Sequence, residues 1–251
     1  MNLLAIRAEL EEERTWRTDE LRFMQNQMAE MPEENREQYR RALLLLLYAH
    51  FEGFCRVALR IYVRELNLLH LRVREVSHAV AAATCRPILM ALSDHNQKND
   101  FFRHGAPSDS ALHFAWRSQE FLARLSDVLN SVVSIPDAIV DTESNLWPIV
   151  LKKNLFKLGF AADCLSQHDS TISNLVNRRN NIGHGMERAG IEQRVFANLQ
   201  SSVYEVMDSI SQLITSSLGG QTYLQQSRLP PIRSEVQNPN PPAQEPSQTG
   251  L

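Results

Sequence analysis

Residues 43–54 read Leu-Leu-Leu-Leu-Leu-Tyr-Ala-His-Phe-Glu-Gly-Phe. From Leu43 to Tyr48 every position is apolar, so a helix that carries this run has no polar stripe for solvent there. Such a helix must be surrounded by others, which places it at the centre of a helical bundle. Upstream, Pro32 stands where a first-turn proline is tolerated, and Glu33 and Glu34 follow, where carboxylates suit the positive helix end. One helix is therefore predicted from Pro32 to about Leu69.

Helical periodicity continues outward from this centre. Leu3, Ile6, Leu10, Leu21, Met24 and Met28 recur at helical spacings among many charges and predict one or two amphipathic helices over residues 3–28. A third segment, 73–92, is expected to kink or split at Pro87, which lacks an amide hydrogen. Residues 93–109 read as a polar loop that carries His95, Lys98, Arg103 and His104, with substrate contact as a second reading. A helix is predicted over 110–133, a short extended segment over 135–144, and a helix over 145–158 that ends near Gly159. Asp169 or Ser170 is expected to cap a helix toward Arg179. A long helix over 192–218 is expected to stop at Gly219-Gly220. Residues 221–251, rich in Gln, Pro, Ser and Asn, are expected to form a disordered tail, with Pro230-Pro231 and 239–242 as a conceivable partner ligand. The fold class is therefore all-α: an up-and-down bundle with extra helices in a 1–220 domain, followed by the tail.

Composition narrows the function. The 251 residues are 43% hydrophobic and 22% charged, with a formal net charge of -3. Any nucleic-acid surface must then be a local patch of cations, and most of the basic residues are arginines, whose planar fork suits phosphate. Cys55, Cys85 and Cys164 are far apart and form no CxxC pair, so reduced thiols are expected and no zinc knuckle. The first ten residues carry charge early, and the most apolar stretch, 42–49, is too short to span a bilayer, so a cytoplasmic protein without membrane association is expected. Few strand candidates and no Gly-rich phosphate loop argue against a Rossmann or P-loop enzyme.

The chemistry concentrates in residues 177–185, Asn-Arg-Arg-Asn-Asn-Ile-Gly-His-Gly. Arg179 and His184 are five apart, a little over one helical turn. Histidine can move a proton near neutral pH, and arginine can stabilise charge that builds on phosphate oxygens. In RNA the neighbouring 2′-hydroxyl is the built-in nucleophile. This pair therefore suits phosphodiester cleavage without metal. The spacing alone is weak, since Arg72 and His78 nearly repeat it, and a histidine at a helix C-terminus also suits the helix dipole. The second feature is the stripe of Tyr48, Glu52 and Arg56, four apart on the central helix. A carboxylate there needs a partner. Arg56 is one choice, and Arg178 or Arg179 from the later helix is the other.

Taken together, the segments Tyr48–Phe54 and Leu175–Gly185 resemble the HEPN superfamily (higher-eukaryote and prokaryote nucleotide-binding), in its stand-alone prokaryotic MAE-like branch. Residues 142–146, Thr-Glu-Ser-Asn-Leu, and the helix after them look like the same branch. The resemblance covers about residues 33–218. It implies a bundle that dimerises through the helices bearing the Arg and His. It also implies a metal-independent endoribonuclease with no cofactor, often a toxin or anti-phage effector checked by an antitoxin partner. On this resemblance Arg179 stabilises the phosphate, His184 transfers protons and Asn180 orients them, with Glu52, Arg178 and Tyr48 in support. Gly185 and Met186 follow His184, where toxins silenced by adenylylation carry a tyrosine, so that regulation is not expected here. The rival readings are a HEPN-like module that binds RNA or protein without cleaving, and a helical adaptor that works through its Pro-rich tail. A metal hydrolase built on His168-Asp169 lacks further ligands at suitable spacings, and no Ser or Cys nucleophile has a supporting context.

Overall fold

The structure is a computed structural model and describes residues 1–94 and 110–225. Among these residues the chain forms helices and no strand: α1 (Leu3–Ala29), α2 (Glu33–Leu68), α3 (His78–Ser93), α4 (Ser110–Ala123), α5 (Leu125–Asn130), α6 (Pro148–Lys157), α7 (Asp169–Gly183) and α8 (Gln193–Gly220). The all-α expectation holds. α2 is the axis, with α1, α7 and α8 packed against it and α1 also against α8.

The leucine run explains why. Leu43, Leu44, Leu47, Phe51, Phe54, Leu59 and Leu66 are buried, and they join Phe196, Leu199, Val206, Ile210 and Ile214 of α8 and Leu175 and Val176 of α7 in one core. An 18-residue window of α2 is long and apolar enough to cross a membrane, which the shorter reading of 42–49 missed. However, 56% of that window is buried inside the structure, as in the core helix of a bundle.

Several local readings are corrected. The 73–92 segment divides at Val76-Ser77 rather than at Pro87: Val73–Glu75 is a single 3-10 turn, Ser77 Oγ accepts the Val80 amide at 3.5 Å, and α3 runs through Pro87. The 110–133 helix breaks at Arg124. Residues 135–144 form no strand. Ile135, Ile139 and Val140 are buried, and Asp137–Ile139 form a 3-10 turn between the extended Pro136 and Val140. Pro148 starts α6, so Asn145 to Trp147 remain loop. Asp169 lies in the first turn of α7 and pairs with Lys152 instead of capping. The expected stop of α8 at Gly219-Gly220 holds: the helix ends at Gly220, and Gln221 behind it takes the left-handed conformation with φ 54°. Tyr223 is then buried, and Gln225 donates its amide to Glu75 O at 2.9 Å. The expected loop residues His95, Lys98, Arg103 and His104, and the tail beyond residue 225, lie outside the described residues.

Candidate active site

α2, α7 and the loop between Val140 and Pro148 meet at one place. α2 supplies Tyr48, Glu52 and Arg56 from successive turns of one face. Glu52 finds its partner on its own helix: Arg56 Nη2 donates to Glu52 Oε1 at 2.5 Å, in the favourable Glu-before-Arg order. The same nitrogen donates to Thr142 Oγ1 at 2.9 Å. Of the two alternatives left open by the sequence, Arg56 is the partner, and neither Arg178 nor Arg179 takes that place.

Arg179 is held from three sides. Its guanidinium carbon lies 5.0 Å from the centroid of the Tyr48 ring, a cation–π distance. Nη1 donates to Asn145 Oδ1 at 3.1 Å and to Asn180 Oδ1 at 2.8 Å. The Tyr48 hydroxyl accepts the Leu146 amide at 2.9 Å and lies 3.5 Å from Asn145 Oδ1. Burial pushes the Tyr48 phenol up to about 12, and the negative charge of Glu52 adds to the rise. The Leu146 amide and the Arg179 charge oppose it. The hydroxyl therefore stays protonated across any physiological pH.

His184 caps the C-terminus of α7, five residues past Arg179, and is exposed. Its geometry comes from a glycine-terminated turn. The Gly185 amide bonds Ile182 O at 3.0 Å, and the Met186 and Glu187 amides bond Asn181 O at 2.8 and 3.1 Å. Gly185 has φ 72°, a left-handed conformation that glycine adopts without steric cost. A Cβ added at Gly183 or Gly185 would meet nothing within 4 Å, so the imidazole stands in open surroundings. Arg178 turns away from Arg179. Its Nη1 bonds Glu187 Oε1 at 2.8 Å and ties the turn after His184 back to α7.

The arrangement thus brings together Tyr48, Glu52, Arg179 and Asn180, sets His184 on the adjoining helix end, and uses Arg178 as a clamp on that end. It also contains Asn145, for which the sequence alone indicates no role. Nothing in a lone Asn predicts this, because its position depends on how the loop folds. His168 and Asp169 do not form a dyad: Asp169 pairs with Lys152, and His168 Nδ1 lies 4.0 Å from Glu205. Among the described residues no three His, Cys, Asp or Glu side chains lie close enough to hold a metal ion. A surface groove between α3 and α6, lined among others by Arg86, Met90, Phe156 and Phe160, includes none of these site residues.

No curated protein matches the chain. Nor does any solved structure. The sequence model of the MAE_28990-like HEPN family matches residues 6–223, from the first turn of α1 to Tyr223. The chain belongs to the MAE_28990-like HEPN family.

Proposed function

We propose that this HEPN protein is a metal-independent endoribonuclease in which Arg179 and His184 act on an RNA phosphodiester. The observation that carries this reading is the state of Arg179. Two asparagine oxygens and an aromatic face fix the guanidinium, and among the described residues no carboxylate pairs with it. A fixed, uncompensated cation is what a developing phosphorane charge requires. On the adjoining helix end, the exposed imidazole of His184 is free to take the 2′-hydroxyl proton or to protonate the leaving 5′-oxygen.

One histidine serves poorly as both base and acid in one turnover. A two-fold homodimer joined near α7 supplies a second His184 beside the first, one for each proton transfer. Asn180, bonded to Arg179, sets the azimuth of the guanidinium, and Glu52 with Arg56 fixes the wall behind Tyr48. The biological setting that fits is a toxin or anti-phage effector restrained by a protein antitoxin.

The test is incubation of the purified full chain with total cellular RNA in excess EDTA, beside His184→Ala. Cleavage that survives EDTA and disappears in the variant supports the reading. Cleavage lost only in EDTA indicates a metal mechanism, and no cleavage by a folded protein indicates a module that binds without cutting.

A further inference from the structure

An arginine carries five N–H donors, two of them on Nη1. In Arg179 both Nη1 hydrogens are used, one on Asn145 and one on Asn180. The other three, on Nη2 and Nε, bond none of the described residues, and neither nitrogen is a buried atom lacking a partner. Nε and Nη2 form the edge that grips two oxygens of one phosphate side by side. The tether is thus on the nitrogen that this grip does not need.

The loop that supplies Asn145 is pinned along its length. The buried Asn154 of α6 accepts the Asp141 amide at 3.2 Å and donates to Asp141 O at 2.7 Å. Thr142 receives Arg56, and Lys153 reaches Glu143 at 3.2 Å. The Leu146 amide is fixed on Tyr48. Between these anchors Glu143 and Ser144 both lie in the left-handed region, at φ 47° and 71°. Such a conformation is costly for a non-glycine residue and persists only where the surroundings determine it. Three elements, α2, α6 and α7, thus converge on the loop that carries one side-chain oxygen to Arg179.

We propose that Asn145 is a positioning residue that holds Nη1 of Arg179 so that its Nε–Nη2 edge faces outward for a single backbone phosphate of RNA. This rests on reading Arg179 as the phosphate-holding residue. Asparagine suits the task because its oxygen accepts one N–H without taking the charge. A carboxylate at the same place would draw the fork onto itself and compete with the phosphate.

The test is binding of a fluorescein-labelled 2′-O-methyl RNA oligonucleotide, which the full chain cannot cleave, by anisotropy. The parent, Asn145→Ala, Arg179→Ala and the double variant are compared, with a melting curve for each. Asn145→Ala is expected to weaken binding about tenfold in the parent background and not at all in the Arg179→Ala background. Asn145→Asp, which preserves the loop, is expected to weaken binding at least as much, and this result stands in for Asn145→Ala if that variant does not fold. Equal losses in both backgrounds, or no loss in a folded variant, overturn the positioning role while leaving Arg179 as the phosphate ligand. Unchanged binding in Arg179→Ala, or no binding by the folded parent, overturns the Arg179 reading and this inference with it.

Discussion

The guanidinium of Arg179 lies over the ring of Tyr48 at 5.0 Å, while the Tyr48 hydroxyl accepts the Leu146 amide at 2.9 Å. One side chain thus supports the cation with its face and the loop with its tip. The two roles separate by substitution. Tyr48→Phe keeps the face and leaves the Leu146 amide without its acceptor, so a stability loss of about 1–3 kcal/mol is expected by urea denaturation. Tyr48→Ala removes both and opens a cavity under α7, so about 3–5 kcal/mol is expected. RNA cleavage should fall further in Tyr48→Ala than in Tyr48→Phe at temperatures where both are folded. Because the phenol titrates only at about 12, the pH–rate profile of Tyr48→Phe should keep the parent's shape up to about pH 10. A basic limb that disappears in the variant would show that the phenol takes part in proton transfer.

His184 offers the opposite contrast. It is exposed, and its imidazole receives no bond from the described residues, so its removal should leave the fold intact. His184→Ala is expected to change unfolding free energy by less than about 0.5 kcal/mol, while EDTA-resistant cleavage is lost. Gly185→Ala should do the reverse. At φ 72° a Cβ strains the turn, at a cost of about 1 kcal/mol, with the imidazole chemically unchanged. Thermal melts of the two variants beside the cleavage assay separate chemistry from scaffold. A His184→Ala protein that melts many degrees lower would place the residue in the fold.

The long-range pattern of this protein was legible because burial repeats along a helix. The run from Leu43 to Tyr48 gave the axis, and the spacing from Val195 to Ile214 gave α8, because every third or fourth residue had to face it. Local readings failed where tertiary contacts outweighed propensity. Pro87 looked like a break, yet α3 runs through it and the segment divides at Ser77 instead. The segment 135–144 looked extended, yet Asp137–Ile139 form a 3-10 turn between Pro136 and Val140, which keep extended backbone around it. Within the site, Arg179 and Asn180 were readable because they share a helix. Asn145 was not, because the left-handed Glu143 and Ser144 that aim it carry no sequence signature of that conformation.

Asn154 tests the loop from its far side. It is 1% exposed, and its amide is spent on the backbone of Asp141. Asn154→Ala leaves an amide and a carbonyl without partners, which should cost about 2–4 kcal/mol. The effect should reach past stability: with residues 141–146 loosened, Arg179 loses its Asn145 tether, and cleavage should drop in a protein that is still folded. Hydrogen exchange of the Leu146 amide reports directly, and faster exchange is expected in the variant. An Asn154→Ala protein with unaltered Leu146 protection would mean that Tyr48 alone holds the loop.

His50 ties acid stability to the contact between α1 and α2. It is 5% exposed, edge-on to Trp16, and its Nε2 lies 3.0 Å from Glu20 Oε2 but off the hydrogen-bonding direction. Burial lowers its pKa below the ordinary 6.5; Glu20 opposes the shift and Arg17 adds to it. The unfolded chain therefore takes up its proton first as pH falls. Stability contributed here is full above about 6.5 and declines below it until the folded His50 is itself protonated. His50→Gln removes the titration and keeps a polar side chain. The parent-minus-variant difference in unfolding free energy should be flat from about pH 8 to about pH 7 and move against the parent by about pH 5. A difference that stays flat throughout, or moves in the parent's favour on acidification, would mean that Glu20 realigns and holds the imidazolium inside the fold.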